Sequence, residues 1–332
     1  MLQDRKEEHI ILAVNSQSSA SVIDKRFFYE PMLNPHPVEN KTGFDFLGKK
    51  FRIPVWVSSM TGGSKIAGEI NRNLAKVCND FGMGMGLGSC RTLLQSDEFL
   101  SDFNLRKIIG DDQAFYANLG ISQIEQSLQN NTINKITDLV NKLDADGLIV
   151  HVNPLQEWFQ PEGDKLKSSP IETIKRLVDN VRFKIIVKEV GQGIGPESMS
   201  QLLKMPLEAI EFSAFGGTNF TSVELKRNTD EILHLYEPFS KIGNDAESML
   251  NHVNEYVSAE NGIQCRQLII SGGIKNFLDG YYFINKSRLP AVYGQASALL
   301  EYARQSYESL YKFVDSQAKG LQLASAYLKI KE

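Results

Sequence analysis

Residues 147–164, GLIVHVNPLQEWFQPEGD, decide how this chain is read. Leu148, Ile149 and Val150 make a short apolar run of the kind that forms a buried strand. Polarity then switches within one residue: His151, Asn153, Gln156, Glu157, Gln160, Glu162 and Asp164 follow. Polar groups massed at the end of a buried strand form either a site or an ordinary solvated loop. The neighbouring sequence distinguishes the two.

The same step from apolar to polar recurs along the chain. Outward from 147–164 the runs are Ala114–Ala117, Met83–Gly86 and Val55–Val57 on one side. On the other they are Lys184–Val187, Ala209–Phe212, Leu268–Ile270 and Ala291–Tyr293. Between them lie helical patterns: GEINRNLAKVCNDFG, NKITDLVNKLDA, SPIETIKRLVDNV, PESMSQLLKM and DAESMLNHVNEYVSA. In the first, Ile70, Leu74, Val77, Cys78 and Phe81 share one face, and Gly82 is placed to end the helix in a left-handed cap. Eight strands alternating with helices predict an α/β fold, a (β/α)8 TIM barrel, as one domain over 46–332. A doubly wound sheet is the alternative. Its GxGxxG fingerprint is absent, because Gly82, Gly84, Gly86 and Gly88, like Gly191, Gly193 and Gly195, run at spacing two.

Residues 1–45 read as an N-terminal extension. A helical stretch begins around Arg5–His9. PMLNPHP at 31–37 excludes regular structure, since proline removes donors and restricts its neighbour. Arg5 and Lys6 are either solvated charges or a phosphate clamp that folds over a site elsewhere. The tail from Glu301 to Glu332 reads as helix, and 226–266 is long for one connection.

Composition sets the outer bounds. The 332 residues are 42% hydrophobic and 23% charged, as in ordinary globular proteins. A net charge of −4 gives no basic field for nucleic acid. No apolar run nears the roughly 18 residues of a membrane span. MLQDRKEEHIILAV is too charged for a secretory signal, so a cytoplasmic location is expected. Cys78, Cys90 and Cys265 are odd in number and lack CxxC spacing, which argues against a disulfide framework and a zinc site.

In such a barrel the site lies at the C-terminal strand ends. Here those ends read, in order, SSMTGG (58–63), GSCR (88–91), NLG (118–120), HVNPLQE (151–157), KE (188–189), SAFGGT (213–218), SGGIK (271–275) and GQAS (294–297). All eight in register are hard to explain as solvation. Glycine-rich turns after strands seven and eight expose backbone N–H groups beside a helix start, a ready phosphate site. Lys188 would be costly to bury unpaired, and Glu189 faces the other way along a strand. Lys188 therefore points at an anion or an anionic ring, a layout suited to FMN.

These segments resemble the type 2, FMN-dependent isopentenyl-diphosphate isomerase family. The resemblance rests on RKEEHI (5–10), SSMTGG, MGLGSCR (85–91), ANLG (117–120), HVNPLQE with QPEGD (151–164), VKEVG (187–191), GGT (216–218) and SGGI (271–274). It covers nearly the whole chain in order. It implies conversion of isopentenyl to dimethylallyl diphosphate with reduced FMN, Mg²⁺ and NADPH as reductant. It further implies a small-molecule diphosphate substrate and a homo-oligomer, a tetramer or larger.

Matched residue by residue, the resemblance makes Gln156 the proton-transfer neighbour of the substrate and Glu157 the Mg²⁺ ligand. Arg5, Lys6, Ser89, Cys90, Arg91, His151 and Asn153 match substrate-binding positions. Met60, Thr61, Gly62, Ser89, Asn118, Lys188, Ser213, Thr218, Gly272, Gly273, Lys275, Ala296 and Ser297 make up the cofactor-binding set. The chain departs from the family pattern at GSCR, where GSQR is usual, and at Phe220, where GGTSW is common. SGGIK replaces SGGIR, and GQASALL replaces a proline-containing form.

Two other readings compete. An FMN-dependent 2-hydroxy-acid oxidase needs a His base over the flavin. Of His9, His36, His151, His234 and His252, only His151 falls at a strand end. A non-catalytic barrel binding a phosphorylated ligand would have no use for Gln156, Glu157 or Lys188.

Overall fold

The computed structural model describes residues 2–38, 43–59, 61, 65–259 and 262–331. Eight parallel strands close into a barrel: β1 (Val55–Val57), β2 (Gly84–Gly86), β3 (Phe115–Gly120), β4 (Gly147–His151), β5 (Lys184–Lys188), β6 (Ala209–Glu211), β7 (Leu268–Ser271) and β8 (Ala291–Gln295). Each coincides with one of the eight apolar runs. The order around the barrel follows the chain, and β8 returns to pair with β1. The five anticipated helices form at Lys65–Phe81, Asn134–Lys142, Pro170–Asn180, Pro196–Leu203 and Ala246–Ser258. The first buries Ile70, Leu74, Val77 and Cys78 on one stripe, and Gly82 at φ +64° ends it.

Alternation along each strand divides the core in two. Val55, Val57, Phe115, Ala117, Leu148, Val150, Ile185 and Val187 face the helices. Trp56, Tyr116, Ile149, Ile186, Ala209, Ile269 and Val292 face the barrel axis. Burying one such large apolar side chain stabilises the fold by about 1.5–3 kcal/mol.

A hairpin, Phe44–Phe46 with Lys49–Phe51, plugs the N-terminal end of the barrel with Phe46, Leu47 and Phe51. Its turn runs through Leu47 at φ +52° and Gly48 at φ +74°. Bonds to strand starts fix it there: Lys184 Nζ donates to the Leu47 carbonyl (3.0 Å), and the Leu47 N–H donates to Gln267 Oε1 (2.7 Å). Apolar side chains thereby close this end, and two cavities are lined by residues at the opposite, C-terminal strand ends.

The N-terminal helix is Leu2–Asn15, with Arg5 and Lys6 exposed and Ile10, Ile11, Leu12 and Val14 facing solvent. Phe27–Tyr29 pairs antiparallel with Leu328–Ile330. The tail is thus not helical to its end. Helices Ser297–Ala303 and Tyr307–Tyr327 give way to a strand that ties the two ends of the chain together. Tyr302 and Phe313 stack at 4.4 Å between those helices. The 226–266 connection holds Asp230–Tyr236, a 3-10 turn and the helix from Ala246. Tyr236 and Phe239 pack on Phe159 of the loop after β4. No described helix is long and apolar enough to cross a membrane.

Candidate active site

One step beyond the apolar axial layer, the inward positions become Ser58, Gly86, Asn118, His151, Lys188, Glu211, Ser271 and Gly294. Each lies two residues past an axial position, on the same face. The barrel interior therefore changes from apolar to polar in a single layer. Ser58, Asn118, Lys188, Glu211 and Ser271 are all buried in it. Gly86 and Gly294 keep the layer open. A Cβ at Gly86 would meet Ile149 Cδ1 at 2.4 Å, and one at Gly294 would meet Ser58 Oγ at 2.5 Å.

On the β3–β4 side, His151 Nδ1 lies 2.7 Å from Asn118 Oδ1. Asn118 Nδ2 donates to the Leu87 carbonyl at 2.9 Å, which orients the amide. His151 thus donates through Nδ1 and keeps Nε2 as an acceptor. Burial, with the Lys188 charge added, pushes its pKa down to about 3, so the ring is neutral at pH 7.

The chain after β4 turns through Asn153 into the short helix Pro154–Phe159, with Pro at its first position. This sets Gln156 and Glu157 beside Asn153. Asn153 Nδ2 donates to Gln156 Oε1 and to Glu157 Oε1, both at 3.1 Å. Gln156 Nε2 donates to Glu224 Oε1 at 3.3 Å, and Glu224 pairs with Arg227 at 2.5 Å. Glu157 also accepts from the Asp164 N–H at 2.8 Å and from Ser122 Oγ at 3.5 Å. Asp164 in turn holds Gln123 (3.2 Å) and Arg91 (3.4 Å). Gln160–Asp164 thus shapes the loop that carries Gln156 and Glu157.

On the β5–β8 side a cavity of about 360 Å³ is lined by Ser58, Ser59, Lys188, Ser213, Thr218, Gly272, Gly273, Lys275, Gln295, Ala296 and Ser297, among others. Lys188 Nζ donates to Ser213 Oγ and to the Glu189 carbonyl, both at 2.7 Å. Ser213 adopts φ +44°, an uncommon conformation for a residue with a side chain. The Glu189 carboxylate points away and accepts from the N–H groups of Gly191, Gln192 and Gly193 at 2.6, 2.6 and 2.9 Å. Burial nonetheless raises its pKa.

Cofactor fit can be judged from this cavity. Helix Ser297–Ala303 has no side-chain cap at Ala296, so its first N–H groups open toward the cavity rim. Gly272 and Gly273 have φ +89° and +75°, and a Cβ at Gly272 would lie 2.1 Å from the Ala214 carbonyl oxygen. Ser58 Oγ, Ser59 Oγ and Gln295 Oε1 are buried without hydrogen-bond partners. Glycine-cleared backbone, free N–H groups, Lys275 and Lys188 fit a phosphate-bearing ring cofactor such as FMN. A second cavity, about 460 Å³, adjoins it at Lys188 and Val190 and runs along Asn153, Leu155, Gln156, Ile171, Ile194 and Ile242.

Metal fit is narrower. Among the described residues there is no group of three or more His, Cys, Asp or Glu that could hold an ion. Glu157 has three protein donors and so keeps about one of its roughly four acceptor directions. A Mg²⁺ here would rely on one carboxylate, substrate oxygens and water.

The remaining expected positions are spread out. Arg91 and Ser89 are exposed beyond β2. Cys90 is wholly buried in the outer core, its thiol against the Gly88 carbonyl and its pKa pushed up to about 12 by burial. Arg5 and Lys6 lie on the exposed N-terminal helix and line neither cavity. Thr61 is half-buried, and Met60 and Gly62 lie outside the described residues. His36 meets Tyr327 and His252 meets Ser200, and neither histidine lines either cavity. Sequence reasoning missed Glu224, which is buried 68 residues from its partner Gln156, and Glu211, which the polar layer encloses.

The chain matches no family model. It is 34% identical over 296 residues to an isopentenyl-diphosphate delta-isomerase of Picrophilus torridus, covering 84% of this chain and 79% of that one. The same name belongs to a Methanothermobacter thermautotrophicus protein, 31% identical over 98% of this chain and 88% of the relative. A Rickettsia akari protein of that name is 32% identical over 90% and 85%. In fold the chain is similar to a flavocytochrome b2 with sulfite bound (TM-score 0.62, 14% identity, 90% of this chain and 71% of that one). A mandelate oxidase with an FMN adduct gives a TM-score of 0.54 at 13% identity, over 93% and 88%. Identity at this level over most of the chain and of its relatives shows that the chain belongs to the type 2 isopentenyl-diphosphate delta-isomerase family.

Proposed function

We propose that this chain interconverts isopentenyl and dimethylallyl diphosphate by adding a proton at one carbon and removing one at another, with reduced FMN held over β5–β8. One observation carries the reading. The mouth sets neutral Gln156, Asn153 and His151 beside a glycine-lined, cationic cradle around Lys188, Gly272, Gly273 and Lys275, with His151 the ladder partner of Lys188.

Protonating an unactivated alkene builds positive charge on carbon, so the site must tolerate a cation without quenching it. Reduced FMN, held by residues of the Lys188–Gly272–Gly273–Lys275 cradle, would supply an anionic ring and an exchangeable nitrogen proton. Lys188 holds its ammonium where it favours that anionic form. His151, neutral at pH 7, cannot act as the acid; its Nε2 accepts a hydrogen bond and orients the substrate. Gln156, fixed between Asn153 and Glu224, keeps its amide aligned for proton passage at the reacting end. Glu157 would hold Mg²⁺ together with diphosphate oxygens and water. Arg91 and Ser89 add contacts, and the N-terminal helix Leu2–Asn15 folds over the mouth to bring Arg5 and Lys6 onto the phosphates. Forked guanidinium contacts and a point ammonium suit those oxygens. A nicotinamide such as NADPH would supply the reducing equivalents that prime a bound flavin, while the isomerisation itself is redox-neutral. The active particle is a homo-oligomer.

An omission series tests this reading. Anaerobic conversion should need FMN, reductant and Mg²⁺ together. Full activity without FMN would overturn it.

A further inference from the structure

Glu211 ends β6 at 0% exposure, and the proposed reaction gives it no part. Its neighbours Ile210 and Phe212 face the helices, so its own side chain faces the barrel axis. In the β5–β6 ladder it is the register partner of Lys188. Side chains at paired positions of adjacent parallel strands emerge on the same face, about 4.8 Å apart. A relay joins the two. Lys188 Nζ donates to Ser213 Oγ (2.7 Å), the Ser213 N–H donates to Ser271 Oγ (3.0 Å), and Ser271 Oγ donates to Glu211 Oε1 (3.1 Å). Glu211 Oε2 is buried with no hydrogen-bond partner.

A carboxylate enclosed in this way is unstable unless a cation shares its surroundings. The other charged or titratable groups of the layer do not supply one. His151 is neutral, and Glu189 is turned into the 191–193 backbone. Lys188 is the cation that faces the same layer. We propose that Glu211 is a positioning residue: the buried counter-charge of Lys188. It holds the ammonium at Ser213 through Ser271 and limits the positive charge presented to the ring above. Its negative charge makes the anionic reduced flavin less stable than Lys188 alone would, and so sets the reduction potential. That last step rests on the FMN reading.

The experiment has two arms. In the protein without FMN, urea unfolding is compared for wild type, Glu211→Gln, Lys188→Met and the double variant. Each single change strands the opposite charge, so both should lose stability and the double variant should recover much of it. With FMN bound, Glu211→Gln should raise the two-electron potential by about 30 mV, a tenfold gain in reduced over oxidised binding. Lys188→Met should lower the potential, and adding Glu211→Gln in that background should raise it again. Should Glu211→Gln fail to fold, Ser271→Ala cuts the relay while keeping both charges, and a smaller rise is expected. A coupled cycle in a protein that binds no FMN supports the charge pair and overturns the FMN reading. An additive cycle with the potential unmoved overturns the proposal and leaves that reading intact.

Discussion

His151 Nδ1 lies 2.7 Å from Asn118 Oδ1, and the Leu87 carbonyl turns the Asn118 amide so that the histidine must be the donor. A neutral ring with a fixed tautomer follows. Its pKa falls from 6.5 to about 3 on folding, chiefly through burial. Below pH 6.5 the unfolded chain therefore binds a proton that the folded chain does not. Stability should fall as pH drops from 6.5 toward 3, with His151 contributing at most about 1.4 kcal/mol per pH unit. Urea unfolding between pH 7 and pH 4 checks this. His151→Asn should flatten the slope; equal slopes for both proteins would count against it.

Gln156 carries the most direct functional prediction. It is half-buried, and its side chain is held by two hydrogen bonds, from Asn153 and to Glu224. Gln156→Ala should remove most turnover with little change in melting temperature. Glu224→Gln, which weakens the acceptor for Gln156 Nε2, should lower kcat more than it raises KM. Wild-type kinetics in both would remove the site assignment.

Glu157 has a double burden. Glu157→Ala should raise the Mg²⁺ needed for half-maximal activity. It also leaves the Asp164 N–H without its acceptor and Asn153 Nδ2 with Gln156 alone, costing about 1–3 kcal/mol of stability. Metal titration with a parallel denaturation curve separates the two effects. An unchanged Mg²⁺ requirement would discard Glu157 as ligand.

Gly272→Ala should lose both stability and FMN. A side chain at φ +89° costs about 1–3 kcal/mol, before its clash with Ala214. Gly195→Ala is the control, since nothing lies within 4 Å of an added Cβ there. Equal melting temperatures for the two would contradict the cradle geometry.

Lys275→Ala should weaken FMN binding about tenfold, or about 1.4 kcal/mol, and leave riboflavin binding nearly unchanged. Fluorescence titration with each flavin checks it. An equal loss for both would move Lys275 away from the phosphate.

The barrel was legible because its strands are buried on both faces, so each reads as a short apolar run such as Leu148–Val150. The mouth was legible for a related reason: polar residues follow each run within three positions, and in a closed parallel barrel those ends share one rim. What escaped depends on pairing across distance. Glu211 sits inside AIEF, where only the parity of Ile210 and Phe212 shows which way it faces. Glu224 meets Gln156 from a helix 68 residues later. The Phe27–Tyr29 and Leu328–Ile330 strands have three residues each, too short for a period, and they join opposite ends of the chain. Cys90 had no local mark of its depth; its neighbours Ser89 and Arg91 are exposed.

The most direct test is a proton NMR assay in D₂O under argon, with the purified protein, FMN, Mg²⁺, isopentenyl diphosphate and a small amount of NADPH. Dimethylallyl diphosphate should accumulate with deuterium in a methyl group, far in excess of the NADPH oxidised. Absence of product, or NADPH consumed mole for mole with substrate, would contradict the account.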